Sequence, residues 1–212
     1  VAIGKDRVRG AAVKLFADKG FHGTGIRDLA QEANLSSASL YHYMGTKEEL
    51  LAGIMRESLE RLIAAAREAT DGVTDPVNRL GILVALHVIT HAVRPDETRV
   101  VDNEVASLSP HAKAAVVALR DEYESLWAET IDKGVRDGVF RTDQPAVTRL
   151  ALLEMCSGVA RWYSSRGPLG LEELAEHYAQ LAMRALGRLD EGEPPDLANC
   201  RAVVSKTWSV AV

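Results

Sequence analysis

The stretch LSSASLYHYMGTKEELL, residues 35–51, decides how this chain is read. Three serines lead into Tyr41, His42 and Tyr43 in succession, and a strong helix start follows at once. Placed on a helix at 100° per residue, Leu40 and Met44 point the same way, with Ser36 and Ser37 flanking them. Leu35, in the preceding turn, joins that apolar side. The opposite face carries Ala38, Ser39 and His42 at its centre, with Tyr41 and Tyr43 on its shoulders. The aromatic residues are therefore expected outside the core, on either side of a face of small residues. Such a face suits a DNA major groove, because Ala38 and Ser39 let the backbone approach base edges while Ser and His exchange hydrogen bonds with them. Tyrosine hydroxyls, the N–H groups opening the next helix, and Lys47 suit phosphates. Spacing alone also allows a tight three-helix packing unit over 24–45 that merely exposes its tyrosines.

Outward from this stretch, almost everything reads as helix. Val8, Ala12, Leu15 and Phe16 recur at helical spacing, and Gly20 is placed to end that helix. Ile26, Leu29, Ala30 and Ala33 mark a short second helix, opened by a capping box with Gly25 at the cap and Asp28 three residues on. The letters NLS join it to the third. Thr46 and Glu49 form a T-x-x-E capping box opening a helix to about Thr70, roughly 37 Å long at 1.5 Å per residue. Asp75-Pro76 starts another that ends before Pro95. Further helices are expected at about 96–107, 110–137, 145–165 and 171–188, and no stretch reads as a strand. The expected fold is all-α. Beyond Gly187 the composition is that of a linker, so 190–212 is expected to be a mobile or loosely docked tail.

Composition narrows the function classes. The chain has 212 residues, 47% hydrophobic and 26% charged, ordinary for a soluble globular protein. It shows neither a signal-peptide core at its start nor an apolar run of the ~18–20 residues that a membrane span needs, so a cytoplasmic protein without membrane partners is expected. Cys156 and Cys200, the two cysteines, offer no disulfide framework and no metal spacing. The net charge is −5, yet residues 1–50 carry seven Lys/Arg against six Asp/Glu. Charge alone does not mark a nucleic-acid binder. No G-x-S-x-G, phosphate-cradling glycine loop or Cys/His nucleophile pattern occurs. Glu173 and His177 have the spacing of a carboxylate–histidine pair but lack the partner motif of a di-metal bundle. No enzyme activity and no cofactor are expected.

The run AAVKLFADKGFHGTGIRDLAQEANLSSASLYHYMGTKEELL resembles the N-terminal DNA-binding domain of TetR-family transcriptional regulators. The matching signals are F-x-x-K-G-F in the first helix, T-x-I-R-D-L-A in the second, L-Y-H-Y in the recognition helix and T-K-E-E-L opening the fourth. The resemblance implies a helix-turn-helix domain over 1–46, a helical ligand-binding and dimerisation domain over 47–189, and a homodimer. Two recognition helices would then meet successive major grooves of a near-palindromic operator, ~34 Å apart. It also implies that Ser37, Ala38, Ser39, Tyr41, His42 and Tyr43 face DNA, with Thr24, Arg27 and Lys47 beside them, Thr24 and Lys47 on phosphates. Met44 stands where the family commonly has Phe, and Gly25 replaces a common Ser/Thr, a change worth a few tenths of a kcal/mol at a cap. The implied function is a regulator, most simply a repressor, released from its operator by a small effector. An all-helical interaction or small-molecule-binding module without DNA binding is the competing reading, and it leaves the Tyr-His-Tyr helix unexplained.

Residues 158–186, GVARWYSSRGPLGLEELAEHYAQLAMRAL, resemble the closing helices of a TetR subgroup that senses acyl-CoA or steroid-degradation thioesters, which implies an acyl-CoA effector. Arg161 beside Trp162 could hold an anionic ligand and stack on a ring, or be a solvated arginine next to an interface tryptophan. Asn103 and Glu104 follow Val100 and Val101 and either line a pocket or form a wet face. His87 and His91, four residues apart in an apolar run, read as pocket lining or core histidines, since nothing is spaced to complete a zinc site. Tyr123 and Trp127 either line a cavity or pack. For dimerisation, Leu150, Leu153 and Ala160, then Leu174, Tyr178, Leu181 and Leu186, supply two apolar stripes suited to a four-helix bundle.

Overall fold

The computed structural model describes residues 2–188 and 195–211, all helix and connecting turns. In chain order the helices are α1 (Ala2–Gly23), α2 (Ile26–Glu32), α3 (Ser37–Met44), α4 (Lys47–Ala69), α5 (Pro76–Val93), α6 (Pro95–Asn103), α7 (Pro110–Arg136), α8 (Pro145–Ser157), α9 (Val159–Trp162), α10 (Leu171–Ala185) and α11 (Cys200–Trp208). A 3-10 turn, Val105–Ser107, separates α6 from α7. The helix expected over 145–165 is two, broken at Gly158. The loose tail expected from 190 is, in its described part, the helix α11. Cys200, Val203, Val204 and Trp208 give that helix a buried stripe, which composition did not reveal because the linker letters precede it.

The chain forms two compact units, Val1–Glu60 with Asp96–Arg120, and Arg61–Pro95 with Asp121–Val212. The first takes in more than the expected 1–46 domain, because α6 and the first part of α7 contribute to its core. Val100, Val101, Leu108 and Val116 pack with Val8, Phe16, Leu29, Leu40, Leu51 and Ile54. Within it α1 kinks at Gly20, whose φ of 75° lies in the region that glycine adopts without steric cost. The turn between α2 and α3 uses Asn34 at φ 51°, one of the few residue types that visit this region routinely. Arg7 donates to the Ala33 and Asn34 carbonyls that end α2. Thr46 and Glu49 complete the predicted capping box, Thr46 N–H to Glu49 Oε2 at 2.8 Å and Glu49 N–H to Thr46 Oγ1 at 3.0 Å. At Gly25 only half a box forms, since glycine has no side chain to accept: Asp28 Oδ2 takes the Gly25 N–H at 2.9 Å.

An ion pair runs through this core. Arg9 Nη2 lies 2.7 Å from Glu97 Oε1, and Arg9 Nε lies 3.2 Å from Glu57 Oε2. It joins α1, α4 and α6 by charge as well as by packing.

In the second unit α5 is central. It is buried along nearly its whole length and packs against α8, α9, α10 and α11. Its 18 residues and mean hydropathy of 1.3 would suffice to cross a membrane, but 78% of it is buried inside the protein, as a core helix should be.

The Glu97 side chain is 1% exposed, so removing Arg9 takes an opposite charge away from a buried carboxylate. Arg9→Ala is expected to cost about 3–5 kcal/mol of unfolding free energy, read from urea denaturation. Arg9→Met combined with Glu97→Leu should recover most of the loss, and an additive double mutant would show that the pair does not interact.

Candidate functional site

The third helix carries the arrangement that the sequence pointed to. Ser36 caps it, its hydroxyl accepting the Ser39 N–H at 3.1 Å and lying 2.9 Å from the Ser39 hydroxyl. Leu40 and Met44 are buried, and Ser37, Ala38, Tyr41 and His42 are exposed, Tyr41 to 53%. These four form one stripe of small and hydrogen-bonding side chains along the helix. Ser39 is half-buried against its cap. Tyr43 also departs from expectation: it is half-buried and packs against the core rather than standing on an outer shoulder. Its ring meets that of His42 edge-on at 5.2 Å. Arg27, on α2, is exposed.

The two residues expected on phosphates are engaged inside the protein. Thr24 is 1% exposed, and its hydroxyl donates to the carbonyls of Gly20 (2.8 Å) and Leu15 (3.2 Å). Lys47 Nζ donates to the carbonyls of Phe21 (2.8 Å) and Thr24 (2.9 Å) and lies 4.2 Å from the centre of the Phe21 ring. At the kink Lys47 and the Thr24 hydroxyl add donors to these carbonyls, the Phe21 carbonyl also accepting the Thr24 N–H at 3.3 Å. Glu104, expected near a ligand, belongs to the same joint: Oε1 accepts the Phe21 N–H at 3.0 Å and Oε2 the Ser107 hydroxyl at 2.8 Å. Asn103 is exposed in this first unit. Neither joins the histidines. Glu48, next to Lys47, accepts the Ser109 N–H at 2.9 Å. Bonds from the Ser109 side chain and backbone hold the Glu48 carboxyl below the usual carboxylate range.

In the second unit four of the other candidates come together. His87 Nδ1 lies 3.1 Å from the Tyr123 hydroxyl, and Nε2 lies 3.1 Å from the hydroxyl of Ser157. The His91 ring stacks on His87 with centroids 4.0 Å apart, and its Nδ1 donates to the His87 carbonyl at 2.8 Å. Trp127 stands edge-on to His87, centroids 5.8 Å apart. It is 0% exposed, and among the described residues neither its indole N–H nor the buried Thr90 hydroxyl on α5 has a hydrogen-bond partner. Such a donor held from water costs about 1–3 kcal/mol unless something accepts it. The cluster offers neutral donors and acceptors among flat rings. Among the described residues no group of three or more His, Cys, Asp or Glu is placed to hold a metal. Ser157 and Thr90 carried no signal in the sequence, where each is one small polar residue in an apolar helix. Arg161 and Trp162 lie elsewhere, exposed on α9. With Val147, Leu150 and Leu181, Trp162 belongs to the exposed apolar side chains of α8–α10. Leu174 and Leu186, expected on that surface, are buried instead. Cys156 is buried too, and burial pushes its thiol well above the ordinary range.

Comparison with known proteins matches this architecture. Residues 9–54 match the family described as bacterial regulatory proteins, tetR family, and residues 73–186 match the tetracyclin repressor-like C-terminal domain. The chain belongs to the TetR family. Among its TetR relatives, the HTH-type transcriptional repressor KstR2 of Mycolicibacterium smegmatis is 29% identical over 183 residues, 84% of this chain and 88% of that one. A tetR-family regulatory protein from Rhodococcus RHA1 has a TM-score of 0.81 at 29% identity, covering 88% of this chain and 98% of its own. The fold of AibR, solved in complex with isovaleryl coenzyme A and operator DNA, matches with a TM-score of 0.76 at 24% identity, over 84% and 97% of the two chains. TetR proteins are transcriptional regulators, not enzymes, and the helix-turn-helix and helical C-terminal domain seen here are the TetR pair.

If Lys47 is a joint residue, Lys47→Ala should lower stability without DNA by about 1–3 kcal/mol, the scale of lost hydrogen bonds to a charged group, in a thermal or urea melt. Unchanged stability with weakened DNA binding would return Lys47 to the phosphates. The pH dependence has a definite sign. Ionised Glu48 is favoured by folding, so its contribution is present above the ordinary glutamate pKa of about 4.3 and lost as pH falls through the lowered folded value. Glu48→Gln should therefore flatten the acid limb of the melting temperature, and an unaltered limb would show that the Ser109 bond contributes nothing.

Proposed function

We propose that this protein is a cytoplasmic, ligand-responsive repressor that binds a near-palindromic DNA operator as a homodimer. The observation that carries the reading is the exposed stripe of Ser37, Ala38, Tyr41 and His42 on a helix anchored by buried Leu40 and Met44. Small residues let the helix enter a major groove, and hydroxyl and imidazole groups meet base edges there. Arg27 and the Tyr41 hydroxyl would serve phosphates, the role that Thr24 and Lys47 give up to the joint at residues 20–24. The half-buried Ser39 and Tyr43 orient the stripe from beneath.

Dimerisation is assigned to α8–α10. Val147, Leu150, Trp162 and Leu181 are 44–61% exposed, and four large apolar side chains on neighbouring helices favour burial against a second copy.

The effector site is assigned to the His87, His91, Tyr123, Trp127 and Ser157 cluster, and the effector to an acyl-CoA thioester. AibR's isovaleryl coenzyme A supports that class, and a thioester carbonyl is a neutral acceptor of the kind that the Trp127 N–H lacks. Binding there would act through α5, which runs into α6 with only Arg94 between, and through α4, one continuous helix from the first unit into the second. The effector must bind the DNA-incompetent form more tightly, since equal affinity for both forms shifts nothing.

Tyr41→Ala and His42→Ala are expected to weaken binding to DNA from upstream of the protein's own gene by roughly ten- to a hundredfold, about 1–3 kcal/mol each, while helix content and dimer mass stay unchanged in circular dichroism and native mass spectrometry. Loss of fold in either variant would put these residues in the core. Leu150→Asp should convert the dimer to monomer in native mass spectrometry, and a dimer that persists would move the interface elsewhere.

A further inference from the structure

The C-terminal helix lies outside the residues matched to the family, yet it is docked at an informative place. We propose that Trp208 is a pin that holds α4 to the end of α5 beside two of the three points at which the chain passes between its units.

The docking is specific. A Cβ on Gly81 of α5 would stand 2.3 Å from Pro195 Cβ, so only glycine lets this segment lie so close. Leu197 packs at the same spot. Cys200 is buried with Sγ 3.9 Å from the Ile82 carbonyl, and Val203 and Val204 are buried behind it. Arg201 pairs with Glu172 of α10, and Lys206 Nζ lies 2.7 Å from Glu68 Oε1 of α4. The helix thus ties α4, α5 and α10 of the second unit together.

Its last residue reaches two guanidinium groups. Arg61 and Arg94 lie over the Trp208 indole, their Cζ atoms 5.8 and 5.9 Å from the ring centre, inside the range of cation–π attraction. Trp208 is buried, Arg94 is half-buried and Arg61 is exposed, so the Arg94 contact is the better shielded of the two. Arg61 is the first residue of the second unit on α4, directly after Glu60 of the first. Arg94 ends α5, and one residue later, past Pro95, the chain enters the first unit at Asp96. One ring therefore touches the residues beside two of the three crossings, the third lying in α7 between Arg120 and Asp121. Among the described residues the indole N–H has no hydrogen-bond partner, and the contact with the guanidinium groups is made by the ring. A phenyl ring should replace it, and a methyl group should not.

Hydrogen–deuterium exchange on the full-length protein without DNA tests this, with labelling of the Cys200 thiol as a monitor of docking. Trp208→Ala is expected to speed exchange in peptides over 58–66 and 92–98 together, roughly two- to thirtyfold, the usual span of a coupling contact. Cys200 should stay protected and Trp208→Phe should match the parent. Faster exchange confined to 200–208, or a Cys200 thiol that becomes reactive, would make Trp208 an anchor of its own helix and overturn the proposal. So would a Phe variant as loose as the Ala variant. Should Trp208→Ala fail to fold, Arg61→Gln keeps the ring. It is expected to loosen 92–98 although Arg61 lies on α4, and no change there would equally overturn the pin. Since no DNA is used, the expected exchange pattern in a protein that binds no operator would count against the regulator reading and leave the pin standing.

Discussion

The Lys47 ammonium is the contact on which the DNA-reading unit turns. Kinking α1 at Gly20 interrupts the helical ladder beside buried carbonyls, and buried carbonyls take donors. Lys47 takes those of Phe21 and Thr24, and the Thr24 hydroxyl takes those of Gly20 and Leu15. The freed Phe21 N–H goes to Glu104. With these bonds made, α2 leaves the joint in one direction, Asn34 turns the chain, and Leu40 and Met44 seat α3. The exposed stripe on α3 is the last consequence of that joint.

That joint lies within the first unit. Glu104 sits 17 residues after His87, with α6 between, and Glu97 on the same helix pairs with Arg9 of α1. A carboxylate near each end of α6, Glu97 and Glu104, thus holds α1. The second unit is organised differently, around one apolar helix whose polar residues, His87, Thr90 and His91, face rings and hydroxyls instead of water. A buried polar cluster of this kind either fixes one packing of the core or waits for an acceptor, and the unpartnered Trp127 N–H favours the acceptor.

The helices were legible in the sequence nearly to the residue where a cap was spelled out, as at Thr46–Glu49 and Asp75-Pro76, because capping is local chemistry. The outward stripe on α3 was legible because periodicity places Leu40 and Met44 opposite Ala38 and His42. What failed was long-range. Lys47 and Thr24 have the residue types of phosphate contacts, and only the kink at Gly20 reveals which carbonyls claim them. Glu104 reads as pocket or surface until Phe21 is brought beside it from 83 residues away. The docking of α11 was hidden for the same reason: its hydrophobic stripe is short, and the groove that receives it is made by Gly81, whose missing side chain leaves no mark in a pattern of apolar residues. His87 and Tyr123, by contrast, met as one reading allowed, since both lie on faces that their own helices bury.

Dimethyl sulfate footprinting of DNA from upstream of the protein's own gene, with the purified protein bound, tests the central claim most directly, because it reports guanine N7 in the major groove. The account predicts protection at two clusters of guanines about one helical turn apart. Protection must disappear when Tyr41 and His42 are both replaced by Ala. A footprint confined to the minor groove, or one that survives the double replacement, would contradict the placement of α3 in the groove.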